Sequence, residues 1–145
     1  MDAMQGVLVQ EMVPGGVETY LGSTYTEGFG MVVGFGIGGV HVELWKDVVF
    51  RVHPLTDVDA REMLDQIRGR ALLDGFRGEP PADREALCEA ILRLDRMVGE
   101  QPRILELDLN PLVALPPGQG VVALDARVRV GERGRRRGGG KREAK

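Results

Sequence analysis

The sequence predicts an α+β fold, with a mainly antiparallel sheet covered on one side by two helices. Short runs rich in β-branched residues, separated by proline and glycine turns, lie towards both ends of the chain. Between them are two longer segments whose apolar residues recur at helical spacing. With 145 residues, 43% of them hydrophobic and 28% charged, the composition fits one globular domain.

The amino-terminal third predicts three strands. Residues 6–12 are apolar and end at a Pro-Gly-Gly turn, and residues 17–25 alternate as a second strand up to a turn near Gly28. Residues 46–55 form another strand-like run that ends at a proline. Because turns connect successive strands, we expect neighbouring strands to pair in antiparallel fashion.

Two helices are predicted in the middle of the chain. Thr56 opens the first as a capping residue with an acidic third position, and this helix should end near Gly69. Asp83 caps the second, which runs to about Val98. The second helix carries a stripe of apolar residues suited to a core rather than to a binding surface. These residues are Leu87, Ile91, Leu94 and Val98.

A terminal pair of strands contains the most suggestive polar residues. Residues 106–115 and 121–130 read as two strands joined by a turn at Pro116, Pro117 and Gly118. In such a pairing Asn110 and Asp125 could approach each other, and their oxygen atoms are ligands of the kind that Mg²⁺ accepts. The alternative interpretation is a turn at Asn110 before its proline and a surface position for Asp125.

A glycine-rich stretch at residues 29–43 offers positions where backbone N–H groups could approach a phosphate. No Lys-Ser or Lys-Thr follows it, so it is not a P-loop, and taken alone it is a weak indication. His41 lies in the same stretch and reads as a strand residue, because no partner occurs at metal-site spacing.

The charge is unevenly distributed. The chain has a net charge of −3, but residues 131–145 carry seven basic and two acidic residues. We expect this segment to be a disordered basic tail and residues 1–130 to form the domain. A basic tail can bind nucleic acid through phosphate charge. Because this tail has no aromatic residue for base stacking, a solubilising or incidental extension is the favoured interpretation.

The chain has one cysteine, Cys88, which reads as a small core residue of the second helix and excludes an internal disulfide. This fits a reducing cytosol, and we predict a cytoplasmic location. No apolar run reaches the roughly 18–20 residues that span a membrane, and no signal peptide is visible.

Several motifs, in order, resemble the ATP-grasp domain of NDP-forming acyl-CoA synthetases. The family includes ADP-forming acetate–CoA ligases and, more distantly, the succinyl-CoA synthetase beta subunit. The resemblance covers roughly residues 5–130 and rests on six matching segments. They are Gly-Val-Leu-Val-Gln-Glu-Met at 6–12, Gly-Gly-Val-Glu at 15–18, Phe-Gly-x-Gly-Gly-x-x-x-Glu at 35–43, Leu-Leu-Asp-Gly-Phe-Arg-Gly at 72–78, Glu-Leu-Asp-Leu-Asn-Pro-Leu at 106–112, and Ala-Leu-Asp-Ala-Arg at 123–127.

The resemblance implies a role for specific residues. Asn110 and Asp125 would bind Mg²⁺, and Asp108 would lie near a phosphohistidine that visits the site. A further set would line the site for ATP or ADP: Glu11 near adenine, Glu18 near the ribose or phosphates, Gly38 and Gly39 in the glycine-rich stretch, and Arg51 facing a phosphate or carboxylate. For Arg51 a structural ion pair is the alternative. His53 is not expected to be the phosphorylated histidine, since the family carries that residue on other segments.

The chain also departs from the family pattern. The family usually has Asp-Pro before its Phe-Gly and a proline after it, whereas this chain has Thr26-Glu27-Gly28 and Met31. By resemblance, the chain corresponds to the carboxy-terminal lobe of the ATP-grasp fold, a partial domain. We therefore expect the enzyme to need a complementary lobe or subunit that also brings the CoA-binding domains, and we expect no activity from this chain alone. The alternative is a non-catalytic remnant that acts as an interaction or regulatory subunit.

Overall fold

The sheet is antiparallel throughout. In the computed structural model, which describes residues 5–38 and 47–134, the strands pair in the order β3-β2-β1-β4-β5, with β6 also beside β4. The strands are β1 (Val17–Thr26), β2 (Gly30–Ile37), β3 (Val48–Val52), β4 (Ile104–Ala114), β5 (Val121–Ala123) and β6 (Ala126–Val130). The helices are α1 (Asp57–Gln66), α2 (Arg70–Leu73) and α3 (Arg84–Glu100). This arrangement confirms the predicted α+β class.

One face of the sheet packs against the helices to form the core. Alternate residues of β1 and β2 meet the apolar side of α1 and α3, and the predicted stripe of α3 is buried throughout. Cys88 lies in this core, and burial raises the pKa of its thiol. The largest fully buried apolar side chains are Phe35, Leu21, Met63, Leu64, Leu73, Leu87 and Ile91. Burial of this kind supplies most of the stability of a domain of this size.

The caps predicted for the two long helices are present. The Thr56 hydroxyl accepts the N–H of Asp59, whose carboxylate accepts the N–H of Thr56, which completes a capping box. The helix α1 ends at Gln66 rather than near Gly69. The Asp47 carboxylate accepts the N–H groups of Arg68 and Gly69, both at 2.6 Å, which satisfies donors outside the helix.

The Asp83 carboxylate joins the start of α3 to the turn between β4 and β5. One oxygen accepts the N–H of Ala86 as an N-cap, and the other accepts the N–H groups of Gly118 and Gly120 at 2.9 and 3.0 Å. These backbone hydrogen bonds, led by the one from Ala86, lower the pKa of Asp83. The carboxylate therefore fixes the helix start and the strand turn with one side chain.

The strand predicted for residues 6–12 does not form, and that prediction was wrong. Residues 6–14 carry no secondary structure, and the side chains of Val7, Leu8 and Val9 are more than three-quarters exposed. Apolar composition alone does not make a strand, because a strand needs a neighbour for its N–H and C=O groups. Among the described residues, no strand pairs with this segment.

The described part of the glycine-rich stretch is a strand of the sheet rather than a phosphate-binding loop. Gly34 and Gly36 lie in β2, between β1 and β3, and their backbones pair on both sides. A Cβ at Gly34 would lie 2.8 Å from the Phe50 ring, and one at Gly36 would lie 2.2 Å from the Asp47 carbonyl oxygen. These glycines therefore permit close approach of β3. His41 lies outside the described residues.

At the carboxyl end, the chain keeps contact with the domain beyond residue 130. The Arg133 side chain donates to the carbonyls of Val98 and Ile104 at 2.8 and 3.3 Å and lies over the Tyr25 ring. The rest of the predicted tail, residues 135–145, lies outside the described residues, so its disorder stays a prediction. None of the helices in the described part is long and apolar enough to cross a membrane.

Candidate functional site

The sheet face opposite the helices carries four of the eight predicted site residues, namely Glu18, Asp108, Asn110 and Asp125. Side chains alternate between the two faces of a strand, so Glu18, Tyr20 and Gly22 of β1 share the face that the helices leave open. Asp108 of β4 pairs with Gly22 and lies on that same face. This surface is called the open face below.

A bulge in β4 brings Asn110 towards Asp125. Leu109 pairs with Leu21 and Leu112 with Thr19, so Asn110 and its following proline together oppose a single residue of β1. The partner strand is interrupted at the same level, between β5 and β6, where Asp125 lies. The Asn110 N–H donates to the Asp125 carbonyl at 3.2 Å. The two residues approach each other as the hairpin pattern predicted.

A cavity of about 450 Å³ lies above this bulge on the open face. Asp108, Asn110 and Asp125 line it, so the structure brings all three of these predicted residues to one place. The remaining lining residues come from the neighbouring strands: Tyr20, Val48, Phe50 and Arg127. The cavity is therefore lined by apolar side chains, two carboxylates and one arginine.

Tyr20 and Asp108 form a hydrogen-bonded pair at the wall of this cavity. The Tyr20 hydroxyl donates to Asp108 Oδ1 at 2.9 Å. Burial, followed by this hydrogen bond and the charge of Asp108, raises the pKa of Tyr20 well above its usual range. The phenol therefore stays protonated, and remains a donor, throughout the physiological pH range.

Charged side chains of β4 and β6 also lie on the open face. Arg127 pairs with Asp108 in the strand register, and Arg129 donates to Glu106 at 2.7 Å. This hydrogen bond lowers the pKa of Glu106. Glu106 and Arg129 are both substantially exposed, so water and salt screen their attraction.

The oxygen donors at the bulge fit Mg²⁺. The cavity is lined by Asn110 and Asp125, whose amide and carboxylate oxygens are hard ligands, with Asp108 beside them. Within residues 5–38 and 47–134, no three His, Cys, Asp or Glu side chains cluster in a way that could hold a metal. A site built from one or two protein ligands, completed by water and phosphate, is the usual form for Mg²⁺ and needs no such cluster.

The other residues predicted to line the nucleotide site do not share one location. Glu18 is exposed on the open face, two residues before Tyr20. Gly38 donates its N–H to the Glu18 carbonyl at 2.9 Å, and a Cβ there would lie 2.4 Å from the Thr19 carbonyl oxygen. Close packing against β1 thus accounts for this glycine. Gly39 lies outside the described residues, and Glu11 is exposed in the segment without secondary structure.

Arg51 faces the helices instead of the cavity. Its guanidinium donates to Gln66 Oε1 at 2.6 Å and lies 3.6 Å from the Glu62 carboxylate. The alternating sides of β3 explain the placement, because Phe50 lies on the open face and Arg51 follows it. The observed contacts are those of the ion pair given as the alternative, and Arg51 is not brought to the site with Asp108.

His53 is engaged in a structural contact. Its Nδ1 lies 2.7 Å from Asp95 Oδ1, and the other oxygen of Asp95 accepts the Leu55 N–H at 3.1 Å. Asp95 belongs to α3 and His53 lies beside that helix, and neither residue lines the cavity.

The sequence patterns did not point to Tyr20, Gly22 or Arg127. The sequence could have indicated the first two, because Glu18, Tyr20 and Gly22 are alternate residues of one strand and so lie on the same face. Glu18 was already a candidate site residue. Arg127 is two residues after Asp125 and follows the same logic. The sequence does not reveal the pairing register of β1 and β4, which places Gly22 opposite Asp108.

Comparison with known proteins identifies relatives of this chain. The ATP-grasp domain family matches residues 1–130. A 4-hydroxybutyrate–CoA ligase (ADP-forming) of Nitrosopumilus maritimus is 44% identical over 125 residues, which are 86% of this chain and 18% of that protein. The beta subunit of an acetate–CoA ligase (ADP-forming) II of Pyrococcus furiosus is 42% identical over 124 residues, which are 85% of this chain and 52% of that subunit.

A solved structure agrees with these relatives. The dinucleotide forming acetyl-coenzyme A synthetase 1 of Ca. Korarchaeum cryptofilum was solved with coenzyme A and Mg-AMPPCP, its phosphohistidine segment pointing towards the nucleotide binding site. It is 45% identical, with a TM-score of 0.79, and the match covers 83% of this chain and 56% of that one. The chain thus spans about half, or less, of the proteins it matches. Because the family match extends over most of its residues, the chain belongs to the ATP-grasp domain family.

Proposed function

We propose that this chain supplies the Mg²⁺- and nucleotide-binding face of an ADP-forming acyl-CoA synthetase. The complete enzyme would convert an acid, CoA and ATP into acyl-CoA, ADP and phosphate through a phosphohistidine. The observation that carries the proposal is the convergence of Asp108, Asn110 and Asp125 on one cavity. The names of the relatives support it, since both are ADP-forming CoA ligases.

In this proposal Asn110 and Asp125 hold the metal ion with their side-chain oxygen atoms. Bound Mg²⁺ supplies positive charge against the phosphate oxygens of the nucleotide. The bulge in β4 and the break between β5 and β6 place the two residues side by side, joined by the Asn110 N–H on the Asp125 carbonyl. Such preorganisation matters because phosphoryl transfer depends mainly on positioning and on charge.

Asp108 is the residue proposed to meet the phosphohistidine. An imidazole that attacks a phosphoryl group through its lone-pair nitrogen keeps its N–H on the other nitrogen, and a carboxylate can accept that N–H, orient the ring and stabilise the positive charge that forms on it. Asp108 lies two residues before Asn110 on the same side of β4 and lines the same cavity. A histidine held there would face the terminal phosphate of a nucleotide bound through Asn110 and Asp125.

Glu18, Glu11, Gly38 and Gly39 are proposed to line the rest of the nucleotide site. Glu18 is the best supported of them, since it shares the open face with Tyr20. A complementary lobe or subunit would close over this face and bring the CoA-binding parts. The Pyrococcus relative is itself named a beta subunit, which supports a division of the enzyme between chains.

Calorimetric titration with ADP, in the presence and absence of Mg²⁺, tests the proposal. We expect binding that requires Mg²⁺ and that weakens about tenfold or more in Asn110→Ala and in Asp125→Ala, the cost of one charge-assisted contact. Glu62→Gln is the matched control, because it removes a carboxylate from the helix-covered side and should leave ADP affinity unchanged.

A folded chain that binds no Mg-ADP should be titrated again with the amino-terminal lobe of a relative supplied in trans. Binding restored by that lobe, and lost in the Asn110→Ala and Asp125→Ala variants, supports a half-site completed by a partner. Absence of binding under both conditions contradicts the proposal and favours the alternative, a non-catalytic interaction or regulatory subunit.

A further inference from the structure

We propose that Tyr20 is a positioning residue whose hydroxyl holds the Asp108 carboxylate at the cavity wall. The inference rests on the proposed function for its purpose, since Asp108 is the residue assigned there to the phosphohistidine. Its geometric basis is independent of that function. Three features of the open face carry it: a hydrogen bond, a gap above a glycine, and the neutral character of the donor.

The hydrogen bond joins adjacent strands. Tyr20 lies on β1 and Asp108 on β4, and their contact of 2.9 Å runs diagonally, since the residue directly opposite Asp108 is Gly22. An aromatic side chain can reach such a diagonal neighbour across a sheet. With Oδ1 held by the phenol, the carboxylate keeps one orientation in the cavity that Asn110 and Asp125 also line.

Gly22 makes room for this contact. A Cβ at that position would lie 2.3 Å from the Tyr20 hydroxyl oxygen and 2.6 Å from Asp108 Oδ1. Real Cβ atoms do not approach other atoms so closely, so any other residue would push the pair apart. The φ angle of Gly22 is negative, a value that other residues also adopt. The reason for a glycine here is therefore the lack of space for a side chain.

A phenol suits this task better than a basic residue would. Lysine or arginine would neutralise the carboxylate, whereas a tyrosine hydroxyl orients it and leaves its charge available to a ligand. Tyr20 is also only half-buried on a face open to solvent, where water could satisfy its hydroxyl. Folding therefore does not require the hydrogen bond, which makes a purpose in the site the better explanation.

Ultraviolet titration of the tyrosines tests the pair without any nucleotide. The chain has two tyrosines, so Tyr25→Phe leaves Tyr20 as the only phenol. In that background we expect no phenolate absorbance up to about pH 11, roughly one unit above the ordinary tyrosine pKa of about 10. Asp108→Asn should bring ionisation of Tyr20 to lower pH, because the negative charge that opposes the phenolate is gone.

Far-ultraviolet circular dichroism at each pH shows that the signal comes from folded chain. Ionisation of Tyr20 near its ordinary pKa, or at the same pH with and without Asp108→Asn, would overturn the inference. This result is distinct from failure of the proposed function, which would appear as absence of Mg-dependent ADP binding. The titration therefore decides the existence of the pair in either case.

A double-mutant cycle tests whether the pair serves the site. With the supplied lobe and the phosphohistidine-bearing part of a relative, Tyr20→Phe should slow phosphoryl transfer to that histidine by up to about tenfold, because Asp108 loses the group that orients it. In an Asp108→Asn background the same change should have no further effect. Equal losses in both backgrounds would mean that Tyr20 does not act through Asp108. Tyr25→Phe, which changes the other tyrosine, is the matched control.

Discussion

The two faces of the sheet are built from the same strands yet serve different purposes. The helix-covered face is apolar and closed, with Leu21 and Phe35 fully buried. The open face carries carboxylates, arginines and a phenol around two cavities that share Asp108 and Arg127. Because strand residues alternate, neighbours one position apart fall on opposite faces. Stability and binding can therefore be altered separately along a single strand.

The sharpest contrast lies between Leu21 and Tyr20, consecutive residues of β1. We expect Leu21→Ala to lower the free energy of unfolding by about 2–5 kcal/mol, because it leaves a cavity in a packed core. Tyr20→Phe should change it by less than about 1 kcal/mol, since the ring is kept and the hydroxyl lies on the open face. Urea unfolding followed by circular dichroism measures both. Similar losses in the two variants would break the division of roles between the faces.

On the helix-covered side of the sheet, the polar residue Asp83 has a structural role. Asp83→Ala should lower Tm by several degrees, because it removes the cap of α3 and the contacts to Gly118 and Gly120 together. Differential scanning calorimetry measures the change. Asp57→Ala, in the first turn of α1 but not its cap, is the matched control and should have a smaller effect. If both variants melt alike, Asp83 does not connect the helix to the strand turn.

The same carboxylate predicts a pH dependence. Since folding lowers the pKa of Asp83, its contribution is present above the unfolded-state pKa of about 3.9 and is lost as pH falls through the folded value. The difference in Tm between the unmodified chain and Asp83→Asn should therefore be constant near neutral pH and shrink in acid. A difference that grows as the pH falls would contradict this sign.

The smallest effect is expected for the exposed pair of Glu106 and Arg129 on the open face. Glu106→Gln should change Tm less than Asp83→Ala does, since water screens the pair. Thermal unfolding at low and high salt measures this, and added salt should reduce the difference further. A large loss of stability from Glu106→Gln would show that the open face contributes to folding more than its exposure indicates.

The helices and the terminal hairpin could be predicted because local signals specify them. Capping residues, a 3.6-residue stripe and a Pro-Pro-Gly turn act within a few positions of the residues they organise. The hairpin closed by this turn allowed Asn110 to approach Asp125, although a turn at Asn110 and a surface position for Asp125 remained the alternative. Strand formation at residues 6–12 could not be judged in this way, because it depends on a partner strand that local composition does not report.

The glycine positions and the Tyr20 pair were beyond sequence patterns for a related reason. A glycine in a strand can mark a loop, a bulge or the close approach of another side chain, and the register decides among them. Gly22 and Gly34 became interpretable only once Asp108 and Phe50 were seen above them. Residue type alone indicated a phosphate loop, whereas packing explains the described part of the glycine-rich stretch.

The pairing of β1 with β4 also has a consequence for how the chain folds. The Thr19 hydroxyl donates to the Leu112 carbonyl, a contact that closes a separation of 93 residues. Contacts between residues so far apart in sequence form late, because closing a long loop costs chain entropy before it brings any gain. During synthesis, β1 and β2 therefore wait with one side of β1 unpaired until β4 leaves the ribosome. The centre of the sheet can therefore be completed only after most of the chain has been made.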